Sequence, residues 1–119
     1  MNNANNFKVD GPTIDKDRAM ERLDNDDELY GELVQLFLED SVVRVESLRS
    51  SLESKDCRVA EREAHSIKSA AANIGGERVR QVAGQIEKVL RETGDLKQGV
   101  QFFQLLECEL EQLKDELGK

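Results

Sequence analysis

The chain carries one histidine, His65, in the stretch AHSIKSAAANIGG, Ala64 to Gly76. Imidazole is the side chain whose charge changes near neutral pH, and its neutral form is a competent nucleophile. Lys68 follows three residues later. On a helix that spacing puts its ammonium on the same face, one turn away, where it can balance an anion formed on the ring. Positions 69 to 73 read Ser-Ala-Ala-Ala-Asn. Side chains this small let another protein approach the helix backbone. A nucleophile, a cation and a clear approach suit group transfer inside a partner's pocket. On spacing alone the plainer explanation is favoured: a lone surface histidine is usually just solvated, and alanine runs favour helix anywhere.

Other chemistries find less support. No GxxxxGK loop or comparable nucleotide cradle is present, so an ATP-dependent kinase is not expected. A metal-binding bundle needs inward Glu and Glu-x-x-His pairs. Here Arg62 stands three residues before the histidine and Glu61 four before it, both on the outward half of the helix. No metal site and no resident cofactor are expected. Cys57 and Cys108 fit no CxxC pattern and are read as free thiols in a reducing compartment.

The elements that would position these residues are helical. Of the 119 residues, 35% are charged and 4% aromatic, with no tryptophan and a single proline at Pro12. Residues 1–12 are polar and Asn-rich and read as a flexible tail, leaving residues 13–119 as one domain. Asp15 predicts the N-cap of a short helix to about Leu23. Asn25 with Glu28 has capping-box spacing ahead of a long helix, about Asp27 to Leu52. Its expected inward stripe is Leu29, Leu33, Leu36, Phe37, Val45, Leu48 and Leu52. Asp56 caps the helix carrying His65, which Gly75-Gly76 end. Val79, Val82, Ala83, Ile86 and Leu90 mark the next helix, and Thr93-Gly94 close it. Asp95, with Gln98 at the reciprocal position, opens a last helix. Its seam is Leu96, Val100, Phe103, Leu106, Leu110, Leu113 and Leu117. Short loops between long amphipathic helices predict an all-α fold: an antiparallel up-down four-helix bundle with a short additional N-terminal helix.

Within the His65 helix, Ala60, Ala64, Ile67, Ala71 and Ile74 form the core stripe. At about 100° per residue, His65 stands roughly 140° around the helix from them. It should therefore face solvent beside Lys68, Ser69 and Ala72, with Arg62, Glu61 and Arg58 continuing the surface towards the N-terminus.

The net charge of −8 argues against nucleic acid or an anionic membrane as partner. No apolar run is long enough to span a bilayer, and MNNANNFKVDG has no signal-peptide features, so the cytoplasm is expected. The single clean seam of the last helix predicts a monomer, and the leading Met with its polar tail favours a free-standing chain.

The string AHSIKSAAANIGG resembles the signature of histidine-containing phosphotransfer (HPt) domains, roughly A-H-x-L-K-G-[SA]-[SA]-x-x-[LI]-G. Ala64, His65, Ile67, Lys68, Ala70, Ala71, Ile74 and Gly75 fall where the pattern wants their type. DELYGELVQLFLEDS is similar to the family's long second helix. RVRQVAGQIE is similar to the helix after the motif, with Glu87 where members carry Glu or Gln. The resemblance implies a phosphorelay intermediate of two-component signalling, a carrier and not an enzyme in its own right. His65 would accept a phosphoryl group on Nε2 from a receiver-domain aspartate and pass it to another receiver's aspartate. Lys68 would balance the phosphoryl charge. Arg62, Ser69, Ala72, Asn73, Gly76 and Glu87 would form the docking surface. The partners implied are response-regulator receiver domains and a hybrid sensor histidine kinase, with Mg²⁺ held by the receiver. Ser69 departs from the pattern, which has glycine there. The alternative is a non-catalytic helical binding module with the same fold.

Overall fold

Four aspartates decide where helices begin. In the computed structural model, which describes residues 7–119, the helices are α1 (Lys16–Arg22), α2 (Asp27–Glu53), α3 (Cys57–Asn73), α4 (Glu77–Glu92) and α5 (Leu96–Leu117). The carboxylates of Asp15, Asp26, Asp56 and Asp95 accept from the backbone N–H groups of Arg18, Leu29, Val59 and Gln98 respectively. Each such cap contributes about 1 kcal/mol by satisfying a donor that the helix leaves free. The α4 N-terminus, at Gly76, has no side-chain cap. No strand is present among the described residues.

The α2 cap differs from the capping box expected at Asn25. Asn25 has φ +60° and donates its N–H to the Met20 carbonyl at 2.8 Å. It thus belongs to the turn closing α1, and the N-cap, which needs an extended backbone, falls to Asp26.

α3 packs between α2 and α4, α4 packs against α5, and α5 returns to α2, while α1 rests on α2. The shared core contains Leu48, Ile67, Ile74, Val79, Val82, Ile86, Leu106 and Leu113, all below 2% exposed. Burying each side chain of this size contributes about 1.5–3 kcal/mol.

Two expected stripes hold for most of their length, with Leu33, Val45, Leu96 and Leu117 packed against the core, and miss at three residues. On α2, Leu29 and Leu36 are exposed, and the inward row is Tyr30, Phe37, Ser41, Leu48 and Leu52. Tyr30 takes the inward place because its hydroxyl donates to the buried Ile74 carbonyl at 2.8 Å. Burial raises the Tyr30 pKa, so the ring stays neutral and able to donate. On α5, Val100 is exposed and Gly99 and Phe102 are buried. A Cβ at Gly99 would stand 3.2 Å from both Leu52 and Leu90, so the glycine lets α5 approach α2 and α4 and turns Val100 outward.

Residues 1–6 of the expected tail lie outside the described residues. Residues 7–12, also expected in that tail, lie instead along α4 and α5. Phe7 packs edge-on against Phe102 at 5.4 Å. Asp10 exchanges two hydrogen bonds with the Gln81 side chain, and the Gly11 carbonyl accepts from Arg78. The strap continues past the α3–α4 loop, where the Asp15 N–H donates to the Gly75 carbonyl at 2.7 Å and the Glu77 N–H to the Thr13 carbonyl at 3.1 Å. The end of α3 is thereby held from two sides, by Tyr30 and by the strap. Cys57 and Cys108 are both free thiols. No helix among the described residues is long and apolar enough to cross a membrane.

Candidate functional site

The rotation of α3 is set by its apolar row. Ala60, Ala64, Ile67, Ala71 and Ile74 are each 1% exposed or less, as their spacing predicts. His65, next to Ala64, leaves the core on the flank that leans towards α4, with its side chain 55% exposed. The rotation of α4 is set likewise by Val79, Val82, Ala83 and Ile86, all fully buried. Glu87, next to Ile86, therefore meets α3.

The two flanks join in one cluster. His65 Nδ1 lies 2.7 Å from Glu87 Oε2, and Lys68 Nζ lies 2.6 Å from Glu87 Oε1. Arg91, one turn along α4, brings Nη1 to 3.4 Å from Glu87 Oε2. The Glu87 side chain is only 9% exposed. Burial would push its carboxyl pKa up, but the hydrogen bonds and charges of Lys68 and His65 outweigh that and hold it below the ordinary carboxylate value. An ionised carboxylate can only accept, so Nδ1 of the ring carries the proton and donates it. The neutral ring then has its lone pair on Nε2, which makes no hydrogen bond among the described residues. The imidazole is thus held at one nitrogen by a buried anion and presents the other as a nucleophile.

Beside the ring, Arg58, Glu61, Arg62, His65 and Glu87 line a shallow cleft. Arg62, Ser69 and Asn73 are exposed on the outer face of α3, as expected. Ala72 is half-buried, and its carbonyl accepts a long hydrogen bond of 3.5 Å from Arg22 of α1.

Two of the residues expected to dock a partner are buried. Gly76 is buried as the N-cap of α4, where a Cβ would stand 2.9 Å from Leu113. Glu87 is 7% exposed and turned towards His65 and Lys68. Its two carboxylate oxygens contact those two side chains, one each. Arg91, absent from the sequence expectation, joins the same carboxylate. Its i, i+4 spacing from Glu87 was a readable signal, but the direction of Glu87 across to α3 was not. Among the described residues no cluster of His, Cys, Asp and Glu gathers that could hold a metal ion.

Comparison with known proteins bears on this geometry. A family model described as the Hpt domain matches residues 32–116. The crystal structure of histidine-containing phosphotransfer protein B (HptB) from Pseudomonas aeruginosa PAO1 is similar with a TM-score of 0.78. That match covers 87% of this chain and 90% of that chain at 23% identity, so the likeness is one of fold. Comparison with curated proteins by sequence found no match. The matched segment contains α3 and α4 whole, with His65, Lys68, Glu87 and Arg91, and the chain belongs to the Hpt domain family.

Proposed function

We propose that this protein is a phosphorelay carrier that accepts a phosphoryl group on Nε2 of His65 from a receiver-domain aspartate and returns it to the aspartate of another receiver. The observation that carries the reading is the His65–Glu87 pair, which holds the ring by Nδ1 and leaves Nε2 open. Nε2 attacks the phosphorus of an aspartyl phosphate. The N–P bond forms as the P–O bond breaks, and the receiver's carboxylate leaves as the anion. The ring keeps its Nδ1 proton, and the cation so formed faces the Glu87 carboxylate. On return, a carboxylate of the second receiver attacks phosphorus and the N–P electrons revert to the Nε2 lone pair. No proton has to move, so the carrier needs no general acid or base. Positioning and charge are most of what phosphoryl transfer requires.

Lys68 has three donors and gives one to Glu87. The others are free to meet phosphoryl oxygens on the adjacent Nε2. The exposed surface of Arg62, Ser69 and Asn73, with half-buried Ala72 among them, is the approach for the receiver. Mg²⁺ belongs to the receiver's acidic pocket, and the carrier contributes no metal ligand. The fold reading that accompanies this function is an antiparallel up-down bundle of α2–α5 with α1 as a short addition. It is supported by the short loops, by the neighbour order of the helices, and by two links between α2 and α3. Tyr30 reaches Ile74 at one end, and Ser47 donates to Glu63 at 2.7 Å further along.

The test is to mix the protein with an acetyl-phosphate-charged receiver domain and Mg²⁺ and to assay for acid-labile, base-stable label. Label on the wild type and none on His65→Gln is expected. An unlabelled wild type, or equal labelling of His65→Gln, would remove the relay.

A further inference from the structure

Seven of the nine arginines in the chain form an ion pair with a carboxylate or donate to a backbone carbonyl of the protein itself. The two that make no ion pair or hydrogen bond among the described residues are Arg58 and Arg62. Both are exposed, both lie on α3, and both line the cleft that also holds Glu61, His65 and Glu87. Such a placement is poor for the helix. Arg58 is the second residue of α3, where the helix dipole disfavours a cation. Arg62 follows at i+4, where like charges repel. The chain has 25 acidic residues against 17 basic ones, so carboxylates to pair these arginines are not scarce. Arg44 shows the contrast, since it is held by both Asp40 and Glu63.

With nothing inside the fold to explain the pair, we infer that Arg58 and Arg62 form a basic ridge that receives a carboxylate-rich protein surface. That surface is the rim around the partner's phospho-accepting aspartate. The inference rests on the relay reading and names what selects the partner at that site. The two unpaired local cations, and not the overall charge balance, favour this occupant over a neutral or basic one. A protein of net charge −8 repels an acidic partner at long range. Arg58 and Arg62 flank Glu61 in a cleft whose other carboxylate, Glu87, is already paired with Lys68 and Arg91, so the two guanidiniums place uncompensated positive charge where the partner must land. Guanidinium suits this task because its planar fork meets carboxylates with two parallel hydrogen bonds. Charges at the rim of an interface act chiefly on encounter rate and partner choice, so the ridge should govern capture and leave the transfer step alone.

The experiment measures phosphoryl transfer to the full-length chain from a charged receiver domain that labels the wild type, by rapid quench over a range of receiver concentrations. It is run at low salt and at about 0.5 M salt, where the screening length drops to a few ångströms. Four proteins are compared: wild type, Arg58→Gln/Arg62→Gln, Arg58→Glu/Arg62→Glu, and Lys97→Gln/Lys114→Gln. The last removes two charges from α5, which lies apart from the ridge. At low salt the second-order rate constant should fall about threefold for the Gln pair and about tenfold for the Glu pair. The differences should shrink at high salt, the rate at saturating receiver should stay within about twofold, and the Lys pair should match the wild type. Circular dichroism checks that each variant keeps its helices.

The inference is overturned if the arginine variants match the wild type at low salt. It is equally overturned if the Lys pair slows transfer as much, or if the loss persists at high salt. In each of these cases His65 is still labelled and the relay stands. If no receiver labels the wild type, the relay falls and this inference with it.

Discussion

Lys68 lies across Gly84: a Cβ built on that glycine would stand 3.3 Å from Lys68 Cδ. The glycine sits inside α4, where it costs about 1 kcal/mol relative to alanine, and it leaves the bed over which the lysine stem reaches Glu87. Gly84→Ala should raise stability by up to about 1 kcal/mol, since a flexible stem can yield a few tenths of an ångström. Gly84→Val adds two γ carbons that cannot be passed so easily. It should draw the ammonium off Glu87 and slow phosphoryl transfer about three- to tenfold. Thermal melts and rapid-quench transfer separate the two effects.

Glu87 holds both His65 and Lys68, so its replacements should be graded. Glu87→Gln can still accept from Nδ1–H but turns an NH₂ towards Lys68, and transfer should fall by up to about tenfold. Glu87→Ala releases the ring and leaves Lys68 half-buried without its anion. A loss of more than about tenfold, over about 1.4 kcal/mol, is expected. The ¹⁵N shifts of His65 give a second readout. A wild-type neutral ring should be protonated at Nδ1, and the Ala variant should shift towards Nε2–H. An Ala variant that kept the Nδ1–H tautomer would show that the carboxylate does not position the ring.

Acid should weaken the same cluster in a predictable sense. The folded-state pKa of Glu87 lies below its ordinary value of 4.5, so the folded state binds its proton less readily than the unfolded chain. Its contribution to stability is complete above that ordinary value and is lost as pH falls through the lowered one. Urea unfolding from neutral to acid pH should therefore show the wild type losing its advantage over Glu87→Gln below about pH 4.5. A constant gap between the two proteins down to strongly acid pH would contradict the pairing.

Gly75 has φ +75°, and a Cβ there would stand 2.2 Å from the Asp15 carbonyl oxygen. Gly94 has a similar φ of +65° but nothing within 4 Å. Gly94→Ala should then cost only the left-handed backbone penalty of about 1–2 kcal/mol. Gly75→Ala should cost about 3 kcal/mol, because the strap and its 2.7 Å hydrogen bond must also move. Chemical denaturation of the two variants tests the difference. Equal losses would mean that the strap does not pack against the loop.

The departures from expectation have local physical causes. The seam of α5 shifted at Val100 because a glycine, invisible to a hydrophobic pattern, is what lets a helix come close. The stripe of α2 holds at Phe37, Leu48 and Leu52, but at its start Tyr30 has a buried carbonyl to reach and takes the inward place, with Leu29 and Leu36 left outside. The strap of residues 7–12 has two apolar anchors, Phe7 and Val9, too few for any periodicity, and the rest of its hold on the bundle comes from backbone groups that any sequence carries.

The amino-acid order by itself determined the helices, because aspartate caps and 3.6-residue periodicity act within a few residues of each other. It also determined that His65 stands off the core stripe with Lys68 beside it, since one helix fixes both angles. Only the packing of α4 against α3 decided what holds the ring. Glu87 and Arg91 lie more than twenty residues further along, and no periodicity shows which residue of one helix meets which of another. The same packing left Arg58 and Arg62 unpaired, because an ion pair exists only where the fold brings a carboxylate within reach.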